Sequence, residues 1–391
     1  MSLFFAGFMQ KRCLIAVLAC LMAGGMARGE GPVISHADSF SKQGLVMVDA
    51  ANLKDTHLVA HPDVRLHYTQ NVIWCGTLQL TWNKAMGLVG EKLHFDHQSS
   101  LADQLNREDF TTADLNSSSY VAVADFEKND VPKQIRTALK KTFHGQASPE
   151  LIPETSSHPG PDDFMAYAYL YKNLPFPKPF QNNDPLMFQG TKVANFGFNM
   201  NGNDGVPSDE LCRQVEILSY KSRNDFVIKL HIQHPEDELI LAKILPGTTL
   251  QETILRVQTR IAEGTPILAT SEDTLAIPKL NLDMGGHFPE LEGLRLRPGE
   301  KARIKRNLVL KSVEQLIRFQ LSETGAILKS EASIGIGDSG INYLGLSSHH
   351  LIFDRPFLIL MKQANSKKPY FVFWVGNASL LVAASATHGT K

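Results

Sequence analysis

The chain has little cysteine, no long apolar run after its first residues and no excess of charge of either sign. Only four of its 391 residues are Cys. Cys13 and Cys20 fall in an N-terminal leader, which leaves Cys75 and Cys212. Two cysteines make no disulfide framework. Both lie in apolar strings, NVIWCGTLQL and DELCRQVEIL, that suit buried free thiols. No stretch beyond the leader reaches the roughly 18–20 apolar residues of a membrane-spanning helix. The 39 basic and 40 acidic residues leave a net charge of −1. That balance lacks the basic excess of a nucleic-acid or anionic-membrane binder. There is also no GxSxG, no P-loop, no GxGxxG opening a helix and no HExxH. The residues therefore make no positive case for an enzyme and imply no cofactor.

What is present begins with export chemistry. Lys11-Arg12 precede the apolar run Cys13–Met22, and Gly25-Met26-Ala27 offers small residues at a cleavage site. Residues 1–27 read as a signal peptide, so the expected location is secreted or periplasmic. Residues 28–44 form a polar leader. Residues 45–391, 43% hydrophobic over the whole chain, hold enough apolar material for one large domain.

Periodicity then places the elements. Apolar residues at 74, 78, 82 and 85–86 predict a buried helix over 71–86, and VPKQIRTALKKTF predicts a basic amphipathic helix over 131–143 with Pro132 in its first turn. A third helix is predicted over 249–261, with Thr248 or Thr249 as its cap and Glu252 close to capping-box spacing. YVAVADF and FMAYAYLY read as strands, separated by a proline-rich connection over 147–163. Beyond residue 190 strands dominate: TKVANFGFNM, RQVEILSY, DFVIKLHIQ, TLAIPKLNLDM, EQLIRFQL, LIFDRPFLILM and YFVFWVG. Helices and strands first, then mostly strands, argue an α+β fold with an antiparallel or mixed sheet.

Two residue sets invite a chemical reading. Gly337-Asp338-Ser339-Gly340 spells GDSG, for which His61 could be offered as a general base. A serine nucleophile needs a histidine, an orienting acid and an oxyanion hole together. Here the string continues with Ile341 and the histidine with Pro62, so a flexible turn-forming string is the better reading. His94, Asp96 and His97, and the pair His349-His350, supply too few ligands for a metal site.

Several stretches, in order, resemble the serpin family. LIFDRPFLILMKQANSKKPYFVFWVGN is similar to its C-terminal signature, and LAIPKLNLDMGGHFPELEGLRL to its I-P-K-F strand and the D-L-x-x-x-L segment after it. SVEQLIRFQLSETGA resembles the strand and E-x-G that open the reactive loop. MAYAYLYKNLPFPKPF resembles the central strand, and VADFEKNDVPKQIRTALKKTFHG the strand and the helix that crosses the main sheet. NVIWCGTLQLTWNKAM stands where the N-x-F-x-S-P helix belongs, with Cys75-Gly76 in place of Ser-Pro. The resemblance implies a large central mixed sheet, N-terminal helices, a second sheet or barrel and an exposed reactive loop over about 325–352. It implies a monomeric, secreted inhibitor of a serine protease, which cleaves the loop before the loop inserts as a strand. The competing reading is a non-inhibitory relative used for binding or structure.

The resemblance sets the loop hinge at Glu323, Gly325, Ala326 and Leu328, and the scissile bond near Ser339-Gly340. The loop's pattern can be read without the family. An inserting strand must alternate, since successive side chains face opposite sides of a sheet. Ala326, Leu328, Ser330, Ala332, Ile334 and Ile336 form a small or apolar set, and Ile327, Lys329, Glu331 and Ser333 a set suited to solvent. Leu328 stands where family inhibitors carry Ala. A bulky side chain in a tight groove costs about 1–3 kcal/mol by overpacking. Slow insertion loses the race against deacylation and makes a substrate.

Overall fold

A computed structural model describes residues 48–49, 52–145, 147, 149–152, 160, 162–199, 207–328 and 348–384. The expected signal peptide over 1–27 and the expected scissile bond at Ser339 and Gly340 lie outside these residues. The first strands are β1 (Val48–Asp49), β2 (Thr56–Val59) and β3 (Asn71–Cys75), followed by helices α1 (Thr77–Val89) and α2 (Ser100–Leu105). Then come β4 (Tyr120–Phe126), α3 (Val131–Thr142), β5 (Phe164–Leu170), β6 (Lys172–Pro175), β7 (Gln181–Phe188), β8 (Thr191–Phe198) and the short α4 (Asp209–Cys212). β9 (Val215–Ser222), β10 (Asp225–Leu230), β11 (Asp237–Lys243), α5 (Leu250–Glu263), β12 (Ile267–Leu268), β13 (Thr274–Pro278), β14 (Leu280–His287) and β15 (Glu314–Ser322) follow. The last strands are β16 (Gly325–Leu328), β17 (His350–Ile352), β18 (Phe357–Gln363) and β19 (Pro369–Val375).

The described strands build an eight-stranded sheet, β12-β9-β10-β11-β18-β19-β3-β2, a four-stranded sheet, β17-β13-β8-β7, a five-stranded sheet, β1-β14-β15-β16-β6, and the pair β4-β5. This is the expected α+β architecture with mixed sheets. One core cluster joins the eight-stranded sheet to the inner face of the five-stranded one through Phe371, Phe319 and Leu328. A second lies under α1, around Trp82 and Val89, and a third holds α3 on the outer face of β4 and β5 through Ile135, Leu139 and Tyr167.

The helix predicted over 71–86 begins as a strand. Asn71–Cys75 is buried at every position between β19 and β2, and only Thr77 onward is helical. A short, continuous apolar run does not distinguish the two states, and pairing on both edges decides it. The helices predicted over 131–143 and 249–261 form as Val131–Thr142 and Leu250–Glu263; Asp130 caps the first, and in the second the Thr249 hydroxyl accepts from the Glu252 amide at 3.1 Å. LAIPKLNLDM splits at Lys279 into β13 and β14, which belong to different sheets.

Candidate functional site: the hinge and the split sheet

The stretch from Glu323 to Leu328 is built into the five-stranded sheet. β15 turns back through Glu323-Thr324 into β16, whose Gly325, Ala326 and Ile327 pair antiparallel with Ser322, Leu321 and Gln320. The other edge of β16 pairs antiparallel with β6, Gly325 opposite Pro175 and Leu328 opposite Lys172. The residues expected to form the hinge are thus an interior strand, between β15 and β6. Its alternation is the one read from the sequence: Ala326 is 0% and Leu328 4% exposed, with Ile327 on the other face. Leu328, the bulky residue of the hinge, sits in the main core beside Leu174 and Phe319 without displacing β16.

Two local features hold the turn. Gly325 has φ 146°, and a Cβ there would lie 2.5 Å from the Leu174 carbonyl oxygen, so only glycine passes this close to β6. Glu323 pairs with Lys279 at 2.5 Å. Burial pushes the Glu323 carboxyl up, but the Lys279 ammonium outweighs it and the net shift is downward. With a depressed folded-state pKa, this anchor contributes fully above the ordinary glutamate range and is lost as pH falls below that range through the lowered value. The backbone amides of Phe176 and Phe180 donate to the Thr324 and Glu323 carbonyls at 3.0 and 2.9 Å, tying the turn to the chain after β6.

Below Leu328 the sheet is open. β5 and β6 are successive parts of one extended stretch, but β5 pairs with β4 while β6 pairs with β16. The lower half of β15 pairs only with β14, so β5 and β15 face each other across a gap. The gap is a cavity of about 370 Å³ that starts at Leu328. Its walls are residues 164–170 and 313–318. Its floor is Leu78, Thr81, Trp82 and Ala85 of α1, and Glu150–Ile152 lie at its outer side. Gln315 fixes one wall to the floor, its Nε2 donating to the Cys75 carbonyl at 3.1 Å and the Thr77 hydroxyl at 2.6 Å. Gly76 packs under the Phe110 ring, where a Cβ would come within 2.3 Å.

At the level of Leu328 the sheets are cross-tied by charge. Lys172 Nζ donates to both oxygens of Asp237, at 2.8 and 2.7 Å, with both side chains nearly buried. The ammonium also lies 5.3 Å from the centre of the Tyr370 ring. Burial raises the Asp237 carboxyl, partly opposed by Lys172, and holds the Tyr370 hydroxyl well above its ordinary range. Sequence reading missed this pair, because Lys172 and Asp237 each look like ordinary surface charges in a one-dimensional pattern.

The remaining sequence candidates are dispersed. His61 is 5% exposed. Its Nδ1 accepts from the Asp63 amide at 3.2 Å and its Nε2 lies 3.3 Å from Asp109, so both ring nitrogens are engaged. Burial lowers its pKa against the pull of Asp109. His349 Nδ1 lies 2.8 Å from Asp273, far in sequence from the exposed His97 beside Asp96. Among the described residues no group of three or more His, Cys, Asp or Glu side chains is arranged to hold a metal. No helix among them is long and apolar enough to cross a membrane. Cys75 and Cys212 are free and buried, the Cys212 thiol pushed up to about 11 by burial.

No family model matches the chain. No curated protein matches it either. Among solved structures the chain is similar to serpins. Maspin is 12% identical, with 78% of this chain and 92% of that one covered at a TM-score of 0.48. Human thyroxine-binding globulin, complexed with its hormone, is 10% identical over 79% and 92% at 0.43. Serpin48, described as a highly specific serpin of the insect Tenebrio molitor, is 13% identical over 78% and 92% at 0.43.

Proposed function

We propose that the chain is a secreted serpin-like inhibitor that traps a serine protease by inserting its cleaved loop into the gap between β5 and β15. One observation carries the reading: β16 already occupies the upper end of that gap as a central strand, and the cavity continues from its last residue. Continuing both registers past Leu328 sets position 330 opposite Leu170 and Ile317, and position 332 opposite Ala168 and Gln315. The inward set is then Ser330, Ala332, Ile334 and Ile336, small residues followed by apolar ones, while Lys329, Glu331 and Ser333 take the outer face. Leu328 does not oppose this, because its overpacking cost is already met in β16.

In this reading the protease serine attacks the Ser339 carbonyl. The Ser339–Gly340 bond breaks, Gly340 leaves as a new amino terminus, and the protease is held on Ser339 as an ester. Insertion of residues 329–336 must outrun hydrolysis of that ester. Incubation with elastase-like and subtilisin-like proteases is expected to yield a covalent complex that survives SDS. Loop cleavage with no complex across such a panel would favour the non-inhibitory reading. The target protease is one with a small specificity pocket, matching Ser339.

A further inference from the structure

Three ion pairs cross the gap with one polarity, although Asp283 and Glu314 also lie on the side that supplies the cations. On the β4–α3–β5 side the residues that reach across are all acidic: Glu150 after α3, and Asp162 and Asp163 just before β5. On the β14–β15 side their partners are all basic. Arg306 Nε lies 3.2 Å from Asp162, Lys311 Nζ lies 3.1 Å from Asp163, and Arg318 Nη1 pairs with Glu150. Arg318 is itself braced from behind by Asp283, at 2.7 Å from its Nε. The Asp163 carboxyl, held by the Gly160 amide and by Lys311, is kept below the usual carboxylate range. Glu150, Leu151 and Ile152 all line the cavity, so the Glu150–Arg318 pair draws this segment over its outer side.

We infer that these three ion pairs form an electrostatic clasp that closes the gap between β5 and β15 and must release before a further strand can enter. Its bearing on inhibition rests on the insertion reading above, whereas the clasp itself does not. The pairs are unequal. Arg306 and Lys311 are mostly exposed, where such pairs are weak and screened by salt. Arg318 is only 19% exposed, so Glu150–Arg318 should dominate.

Cys75 provides the readout, because it lines the same cavity and is only 3% exposed. Alkylation by N-ethylmaleimide, followed cysteine by cysteine by mass spectrometry on the intact chain, reports how often the gap opens. Cys212, buried away from the cavity, is the internal control. Glu150→Gln is expected to speed Cys75 alkylation about fivefold, the scale of one partly buried pair, with Cys212 unchanged. The triple variant Glu150→Gln, Asp162→Asn, Asp163→Asn should be faster still and should lose the acceleration that about 1 M NaCl gives the parent chain. A Cys75 rate unchanged in the triple variant, or Cys212 accelerated by the same factor, would overturn the clasp. Failure of the insertion reading would show elsewhere, as cleavage of the loop without a gain in melting temperature.

Discussion

Asp237→Ala is expected to destabilise the protein by about 3–5 kcal/mol, because it leaves the Lys172 ammonium buried without its counter-charge. The pair joins β6 of the five-stranded sheet to β11 of the eight-stranded sheet, and Lys172 stands directly opposite Leu328. Its exposure is 5%, so water cannot take over from the missing carboxylate. The Tyr370 ring beneath the ammonium offers only a cation–π contact worth about 1–2 kcal/mol. Urea denaturation should show the loss as a lower midpoint at constant slope. The double variant Lys172→Met, Asp237→Leu should recover most of it, since apolar replacements of similar volume remove the charge and its desolvation together. If Asp237→Ala alone shifts the midpoint by less than the equivalent of about 1 kcal/mol, the pair is solvated and does not tie the sheets as described.

If the chain inhibits by loop insertion as proposed, Ala332→Arg is expected to make it a substrate instead. In the continued register position 332 faces inward between Ala168 and Gln315, over the floor formed by α1. An arginine there would have to bury an unpaired guanidinium, at a cost of several kcal/mol after relaxation, of the order of 5. Such a cost exceeds the roughly 1.4 kcal/mol that makes a tenfold change in a rate. Covalent complex yield against a responsive protease should therefore fall at least about a hundredfold relative to cleaved product. Glu331→Arg, one residue earlier and on the outer face of the same alternation, should leave the yield nearly unchanged. Equal effects of the two substitutions would mean that the loop does not enter in this register.

Much of this architecture was legible in the chain itself, and the reasons differ by element. The helices over 131–142 and 250–263 carry their own caps, Asp130 and Thr249, and clear amphipathic spacing, so they needed no tertiary information. The alternation at residues 325–328 was legible because a strand's period of two shows in the residue types: Ala326 and Leu328 on one side, Ile327 on the other. The strand at Asn71–Cys75 was not, because all five residues are buried and an unbroken apolar run carries no period. β7 escaped because it is polar and contains Pro185. It is an edge strand, and its register slips between Asn183 and Leu186, where a proline can be tolerated. The gap between β5 and β15 had no sequence signature at all. It exists because FMAYAYLYKNLP, apparently one long strand, divides its partners between β4 and β16. The clasp was hidden for a related reason, as Glu150 and Arg318 are brought together only by the crossing of the chain after α3.

In the proposed mechanism the gap below Leu328 receives the chain's own loop as a further strand. The most direct measurement is the melting temperature of the intact protein and of the same protein cleaved once between residues 337 and 347. Seating Ala332, Ile334 and Ile336 in the gap would bury two large aliphatic side chains and one small one, about 4–6 kcal/mol by transfer. For a chain of this size that corresponds to a rise of about 5–8 °C. Such a rise after cleavage, with both fragments still associated, is the result expected. A melting temperature that stays the same or falls would contradict it.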